Sequence, residues 1–329
     1  MQLSLCMIVR DEAFFIEECL SYARPYVDEI VVVDTGSVDG TQDIVRRYAD
    51  TLLDFPWVDN FSAARNTGLE AATGDWILVL DADERVVAED FAVLRQAMVT
   101  DEFDGYYLQT RNYMNRQPGG WRPVEVDDPN TRGFAGFTTH RIMKLFRRRD
   151  DIRYRGRVHE IVDGSVAESA RGELPAIIHH YGDANDDKPR RERALRYLAL
   201  MEEDLAQEED ARLLAIAGSS AMHFAGDYTK AARYLHRAAD LGYERQITLE
   251  SAAEAYYRGG NFGTALSLYK TVYDAGSRSP VLCLNLANLL VRSGDKTRGK
   301  QLLQECLDLG GIDPTTDGAI RGNIEFLSS

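Results

Sequence analysis

Three copies of one short pattern stand 34 residues apart in the second half of the chain: Gly226-Asp-Tyr228, Gly260-Asn-Phe262 and Gly294-Asp-Lys296. At a constant offset behind each comes a small residue, Ala231, Ala265 or Gly299, placed where two helices would touch. A larger apolar residue follows, Tyr234, Leu268 or Leu302. A period of this length implies helix–turn–helix units whose apolar faces are buried only by stacking on one another. The units run over roughly 212–245, 246–279 and 280–313, and the last carries Lys296 where the others have an aromatic. This half is therefore all-α, and it carries no catalytic constellation of its own.

The first half is read from alternation instead. Leu3 to Val9 is a β-rich run ending at Arg10-Asp11-Glu12, and an amphipathic stretch over 13–22 is stopped by Pro25. Glu29 to Val33 is a buried strand that ends at Asp34-Thr35-Gly36-Ser37, and Asp39-Gly40-Thr41 leads into a helix over 42–48. A short strand over 51–55 and a helix over 61–72 precede the strand Trp76 to Leu80. Strands alternating with helices of this length predict an α/β domain with a doubly wound, mainly parallel sheet.

The strand at Asp75-Trp-Ile-Leu-Val-Leu-Asp81-Ala-Asp83-Glu84 ends on three carboxylates. Asp81 and Asp83 share a face, because side chains two apart along a strand point the same way. Two carboxylates that close raise each other's pKa unless a cation lies between them. A hard divalent ion, Mg²⁺ or Mn²⁺, relieves the repulsion and can carry a diphosphate on its remaining positions. Ligands of such sheets bind beyond the carboxyl ends of the strands, where Arg10, Asp34 and Asp81 to Asp83 all fall.

Composition removes several alternatives. A formal charge of -15 argues against nucleic acid as partner and against adsorption to an anionic membrane. No apolar run is long enough to span a bilayer. The start of the chain lacks a basic leader, and Cys6, Cys19, Cys283 and Cys306 have no metal-ligand spacing, which together predict a cytoplasmic protein with buried thiols. Neither the glycine-rich turn of a dinucleotide-binding domain nor a P-loop is present.

The segments Leu5-Cys-Met-Ile-Val-Arg10-Asp11-Glu12, Val33-Asp34-Thr35-Gly36-Ser37-Val38-Asp39-Gly40-Thr41, Asn60-Phe61-Ser62-Ala63-Ala64-Arg65-Asn66 and Leu80-Asp81-Ala82-Asp83-Glu84 resemble family 2 glycosyltransferases of the GT-A fold. The resemblance covers about the first 185 residues. It implies an inverting transfer from a nucleotide sugar, UDP-linked, with Mg²⁺ or Mn²⁺ on the diphosphate. It also implies donor contacts from Val9, Arg10, Glu12, Asp34, Ser37, Asp39, Arg65, Asp81, Ala82 and Asp83. Among these, Asp34 serves the base or ribose, Arg65 reaches the uracil or diphosphate, and Asp83 holds the metal.

Beyond Glu84 the pattern loosens. A helix is predicted over 89–98 and an alternating strand over 105–114. The Pro-, Gly-, Asn- and Asp-rich loop over 115–136 is long enough to fold over an acceptor. A strand over 141–147 leads to six arginines, Arg147, Arg148, Arg149, Arg153, Arg155 and Arg157, most of which read as a solvated hairpin. In the family a carboxylate near Gly156-Arg157-Val158-His159-Glu160 acts as the base, which makes Glu160 the catalytic candidate, with Asp127 and Asp128 of the long loop as competitors. The family also often completes its metal site with a histidine near the end of this domain. Of His179 and His180, neighbours on one strand, only one can face the site, and His180 is the one favoured.

These readings divide the chain into a transferase domain at 1–185, a linker and capping helix at 186–211 with its helical pattern at 193–208, and repeats at 212–329. The 34-residue period resembles that of tetratricopeptide repeats. Such an array either binds a peptide or protein acceptor on its concave face or caps and dimerises the enzyme. Because family 2 domains and tetratricopeptide repeats occur together in peptide-modifying transferases, the resemblance implies an acceptor hydroxyl or thiol on a peptide or protein. The alternatives are a glycan or lipid-linked acceptor of cell-envelope assembly, or a non-catalytic scaffold with a degenerate transferase domain.

Overall fold

The computed structural model describes residues 1–100, 102–117, 120–125, 127–182, 190–310 and 314–327. The chain divides into two compact units, Met1–Lys188 and Pro189–Ser329. The charged exit segment read at 183–191 lies for the most part outside the described residues.

The first unit runs β1 (Leu3–Val9), α1 (Ile16–Ala23), β2 (Glu29–Asp34), α2 (Thr41–Val45), β3 (Thr51–Asp54), α3 (Phe61–Ala71), β4 (Trp76–Val79), β5 (Glu84–Arg85), α4 (Ala88–Thr100), β6 (Gly105–Met114), β7 (Arg122–Pro123), β8 (Gly136–Arg147) and β9 (Arg171–His180). One sheet holds all nine strands, in the order β3-β2-β1-β4-β8-β6-β9-β5, with β7 beside β8. The first four are parallel. From there the sheet is mixed: β8 is antiparallel to both β4 and β6, and β9 is parallel to β6. The change follows from the connection, because β6 returns as β8 through a loop rather than a crossover helix.

Strand alternation divides the core between two faces. Leu3, Leu5, Met7 and Val9 of β1 pack with Ile30, Val32 and Leu78, against Ile16, Cys19 and Leu20 of α1 and Phe91 and Leu94 of α4. Cys6, Val31, Ile77 and Val79 pack on the other side with Leu69 and Ala72 at the end of α3. Helices on both faces explain why these strands read as near-continuous apolar runs. The register Val9↔Asp34 then fixes the rim, since the ends of β1 and β2 lie side by side.

The second unit is helical: α5 (Arg190–Leu205), α6 (Ala211–Ser220), α7 (Tyr228–Asp240), α8 (Arg245–Arg258), α9 (Phe262–Asp274), α10 (Pro280–Arg292), α11 (Lys296–Leu309) and α12 (Pro314–Phe326). Helix α6 continues through a π turn over Ala221–Ala225. The repeated tripeptide now has a mechanism. Gly226, Gly260 and Gly294 each take a positive φ, of 70°, 80° and 99°. That conformation ends the first helix of each pair at little cost only for glycine. The next residue, Asp227, Asn261 or Asp295, caps the second helix by accepting from the backbone N–H of Lys230, Thr264 or Arg298. Ala231, Ala265 and Gly299 are buried at the helix contact. At Gly299 a Cβ would lie 2.5 Å from Val291.

Candidate active site

Two loops at the rim are stitched together by their own polar side chains. The Asp11 N–H donates to Ser37 Oγ at 2.9 Å, and the Val38 N–H donates to Asp11 Oδ1 at 2.8 Å. The Glu12 N–H reaches Thr41 Oγ1 at 2.8 Å and the Ala13 N–H reaches Asp39 Oδ2 at 3.0 Å. Ser37 and Asp39 thus build the loop, while Arg10 is half exposed at its edge. Val9 and Ala82 are buried in the core, and the Val9 carbonyl accepts from the Thr35 N–H.

Asp34 is buried at the end of β2. Its Oδ1 accepts from the Gly36 and Ser37 N–H groups, both at 2.9 Å, and from Gln42 Nε2 at 3.0 Å. Its Oδ2 is buried with no hydrogen-bond partner among the described residues. Burial pushes this carboxyl up, but the Ser37, Gln42 and Gly36 donors hold it below the usual carboxylate range.

A chain of ion pairs crosses the rim behind it. Arg65, on α3, donates from Nε to Glu160 Oε1 at 2.6 Å and from Nη2 to Asp81 Oδ1 at 3.0 Å. Lys144 of β8 then bridges Asp81 Oδ2 at 3.3 Å and Glu84 Oε2 at 2.7 Å. Lys144 is 5 % exposed and Glu84 4 %, whereas the Asp81 side chain is 39 % exposed and so faces the open rim. Burial works against charge throughout, yet Lys144 and Arg65 hold the Asp81 carboxyl well below the carboxylate range. Burial pushes the deeper Glu84 up. Arg65 also lies 5.3 Å from the Tyr154 ring, and its Nη1 is buried with no hydrogen-bond partner among the described residues. The two nitrogens with partners both serve carboxylates of the protein itself.

Asp83 and His180 meet because β5 pairs antiparallel with β9 in the register Glu84↔His180. His180 Nε2 is 3.2 Å from Asp83 Oδ2. Burial pushes this imidazole down, and the Asp83 carboxylate more than reverses it, to about 9. His179 faces the other way, stacked on Tyr113 with Nδ1 2.8 Å from its hydroxyl. Burial and the nearby Arg111 and Arg85 bring it down to about 4. Next to the Asp83–His180 pair, Gly182 has no room for a side chain: a Cβ would lie 2.7 Å from Asp83 Oδ2 and 2.9 Å from His180 Nε2.

This pair fits a divalent ion shared with a substrate. Among the described residues no cluster of three metal-type ligands exists. Mg²⁺ and Mn²⁺ bound with phosphates need only one or two protein ligands, the rest being phosphate oxygens and water. An imidazole in the set favours Mn²⁺ over Mg²⁺.

Other residues singled out by sequence have local partners or are exposed. Arg147 stacks 4.6 Å from the Trp76 ring, Arg148 donates to the Gly74 carbonyl at 2.7 Å, Arg149 pairs with Asp104 at 2.9 Å, and Arg153 donates to the Arg149 carbonyl at 2.9 Å. Arg155 pairs through its backbone with Ile161, which closes the loop carrying Glu160. Asp128 caps a turn by accepting from the Asn130 N–H at 2.8 Å, and Asp127 is exposed. Lys144 escaped the sequence reading. Its only signal was a lone charge inside the apolar run Ile142-Met143-Lys144-Leu145-Phe146. The register between β6 and β8 skips there, Tyr106 facing Leu145 and Tyr107 facing Met143, and a bulge of this kind re-aims a side chain.

The fold and the rim define a class, and comparison with known proteins agrees. Residues 4–167 match Glycosyl transferase family 2, and through them the chain belongs to that family. A TPR repeat-containing protein of Synechococcus elongatus is 36% identical over 250 residues, covering 73% of this chain and 57% of that one. SunS, a glycosyltransferase of Bacillus subtilis, is 27% identical over 156 residues, 47% of this chain and 33% of SunS. LpsC of Rhizobium meliloti, a lipopolysaccharide core biosynthesis glycosyltransferase, is 27% identical over 183 residues, 52% of this chain and 62% of LpsC. This chain thus spans less than two thirds of the length of each of these relatives. Among solved structures, TarS of S. aureus aligns with 84% of this chain and 92% of its own at 14% identity and a TM-score of 0.44. No described helix is long and apolar enough to cross a membrane.

Proposed function

We propose that the chain moves a sugar, with inversion, from a UDP-sugar to a hydroxyl or thiol of a peptide or protein, with Mn²⁺ or Mg²⁺ on the diphosphate. The observation that carries this reading is the convergence of Asp34, Asp81, Asp83, Glu160 and His180 at one strand rim, joined by Arg65 and Lys144. Asp34 offers Oδ2 to a donor group of the base or ribose. Asp83 and His180 hold the ion, which when bound supplies charge stabilisation for the departing diphosphate. Asp81, held ionised, orients the donor.

The acceptor oxygen or sulfur bonds to the anomeric carbon as the carbon–oxygen bond to the diphosphate breaks. The electron pair leaves with the diphosphate, and the acceptor proton passes to Glu160. Arg65 engages Glu160 through Oε1, so Oε2 is the oxygen assigned to that proton. Arg65 then acts by holding the base and Asp81 in one frame rather than by reading the uracil. The repeats bind the acceptor chain in this reading, because stacked helix pairs of this kind commonly offer a binding surface for peptides.

Calorimetry with UDP, with and without Mn²⁺, tests the donor half. The expected result is metal-dependent binding that Asp83→Asn abolishes while the fold persists, and equal affinity with and without metal would sink the assignment. UDP at a hundred times its dissociation constant should add about 2.7 kcal/mol of stability. Similarity to LpsC makes an oligosaccharide the comparison acceptor, and transfer to it in preference to any peptide would overturn the acceptor half.

A further inference from the structure

Strand β8 is covered on one edge by β6 from Gly136 to Phe146. The opposite edge is shared and incomplete. β4 takes it only at Leu145, Phe146 and Arg147, and β7 takes it only at Gly136 and Phe137. Over 138–143, between them, no strand lies on that edge among the described residues, and no backbone bond outside the β6 ladder is made there. His140, Arg141 and Ile142 are exposed, Ile142 at 40%. Folded proteins cover, shorten or bend such edges, because a row of unpaired N–H and C=O groups recruits another extended chain.

This gap opens onto the rim. Its first neighbour is Lys144, the bulged residue, whose Nζ is 3.3 Å from Asp81. Asp81 is 3.0 Å from Arg65, and Arg65 is 2.6 Å from Glu160. Three ion-pair contacts therefore connect the mouth of the gap to the proposed base. At its far end β7 already lies antiparallel on the same edge, so the geometry there accepts a strand. Six residues of edge span about 20 Å, the length of an ordinary strand.

We infer that the open edge of β8 at 138–143 is the acceptor subsite, and that its occupant is an extended peptide added as a strand beside β8. The inference rests on the transferase reading above and names its acceptor class. Main-chain hydrogen bonds hold the segment, alternate side chains decide which sequences fit, and a Ser, Thr or Cys near its end reaches Glu160 and Asp83. A glycan lacks the repeating N–H and C=O row that would match this edge.

Hydrogen exchange on the full chain, with UDP and Mn²⁺ present, tests it using a pool of extended octapeptides with Ser, Thr or Cys at varied positions. The expected result is that alternate amides in 138–143 exchange at least about tenfold more slowly with peptide. N-methylation of a responding peptide at one set of alternate residues should abolish both protection and sugar transfer, whereas the other set should leave both intact. Peptides glycosylated without protection at 138–143 would overturn the proposal. So would donor turnover with no peptide protecting the edge, or protection that grows with protein concentration alone, which would mean a second copy on the edge. Failure of UDP to bind would instead sink the transferase reading, and the protection result would still decide the edge.

Discussion

The rim of the first unit and the turns of the second use the same kinds of residue in opposite ways. In the repeats, an aspartate or asparagine caps a helix three times over, at Asp227, Asn261 and Asp295, each with a single backbone partner. At the rim, Asp81 touches two cations, and each cation touches a second carboxylate, Glu160 or Glu84. A cap is local, exposed and repeated. The network is long-range and buried except at Asp81, which faces the rim. Loss of a cap should cost a little stability anywhere in the array, whereas loss of a rim charge should change function, or leave its partner stranded in a poorly solvated place.

The contrast is sharpest at Glu160. Glu160→Gln keeps the shape and a carbonyl oxygen for Arg65 but cannot take a proton. Turnover should fall by about 10²–10⁴ with UDP affinity unchanged. The loss should be smaller for a thiol acceptor, which ionises more readily near neutral pH than a hydroxyl. If Glu160→Gln retains near-normal rates while Asp127→Asn or Asp128→Asn does not, the base lies in the long loop.

Lys144 separates structural from chemical roles within the same network. Lys144→Met leaves Glu84 and Asp81 side by side with no shared cation, and should cost about 3–5 kcal/mol in denaturant unfolding. Adding Glu84→Gln should restore much of that loss, because it removes the stranded charge. No restoration would mean that the loss does not come from a stranded Glu84 charge.

A smaller effect is expected at Gly182. Gly182→Ala puts a methyl where Asp83 and His180 now approach each other. Mn²⁺-dependent UDP binding should weaken about 10–100-fold, as for other changes that displace metal ligands. Unfolding stability should hardly move, and unchanged metal dependence would remove His180 from the proposed ligand set.

How much of this was legible in the sequence follows the same division. Local, periodic features could be read: the strand–helix alternation, the polar strand ends and the 34-residue repeat all depend on neighbours in the chain. The antiparallel half of the sheet was not legible, because the pairing of β8 with β4 joins Leu145 to Leu78 across β5, α4, β6 and β7, a separation that no local period encodes. Asp34, Asp81 and Asp83 stood out as polar ends of apolar runs. Lys144 did not, since its side chain is aimed by a bulge that depends on how β8 registers against β6. Arg65 was singled out as a ligand for the nucleotide, but its pairing with Glu160, 95 residues away in the chain, follows no local pattern and could not be read.

The smallest effect belongs to the repeats, and it tests whether their sameness is energetic as well as geometric. Asp227→Ala, Asn261→Ala and Asp295→Ala each remove one acceptor from a helix start, and each should cost about 1 kcal/mol. The caps lie in successive repeats and share no partner, so the triple variant should lose the sum to within about 0.5 kcal/mol. Stacked repeats, however, stabilise one another across their interfaces, and a cap at one end can matter less than one in the middle. Urea unfolding of the three single variants decides between these. Equal losses would show that each turn contributes independently. A larger loss for Asn261→Ala, the central one, would show that the array unfolds as a unit coupled through α8 and α9.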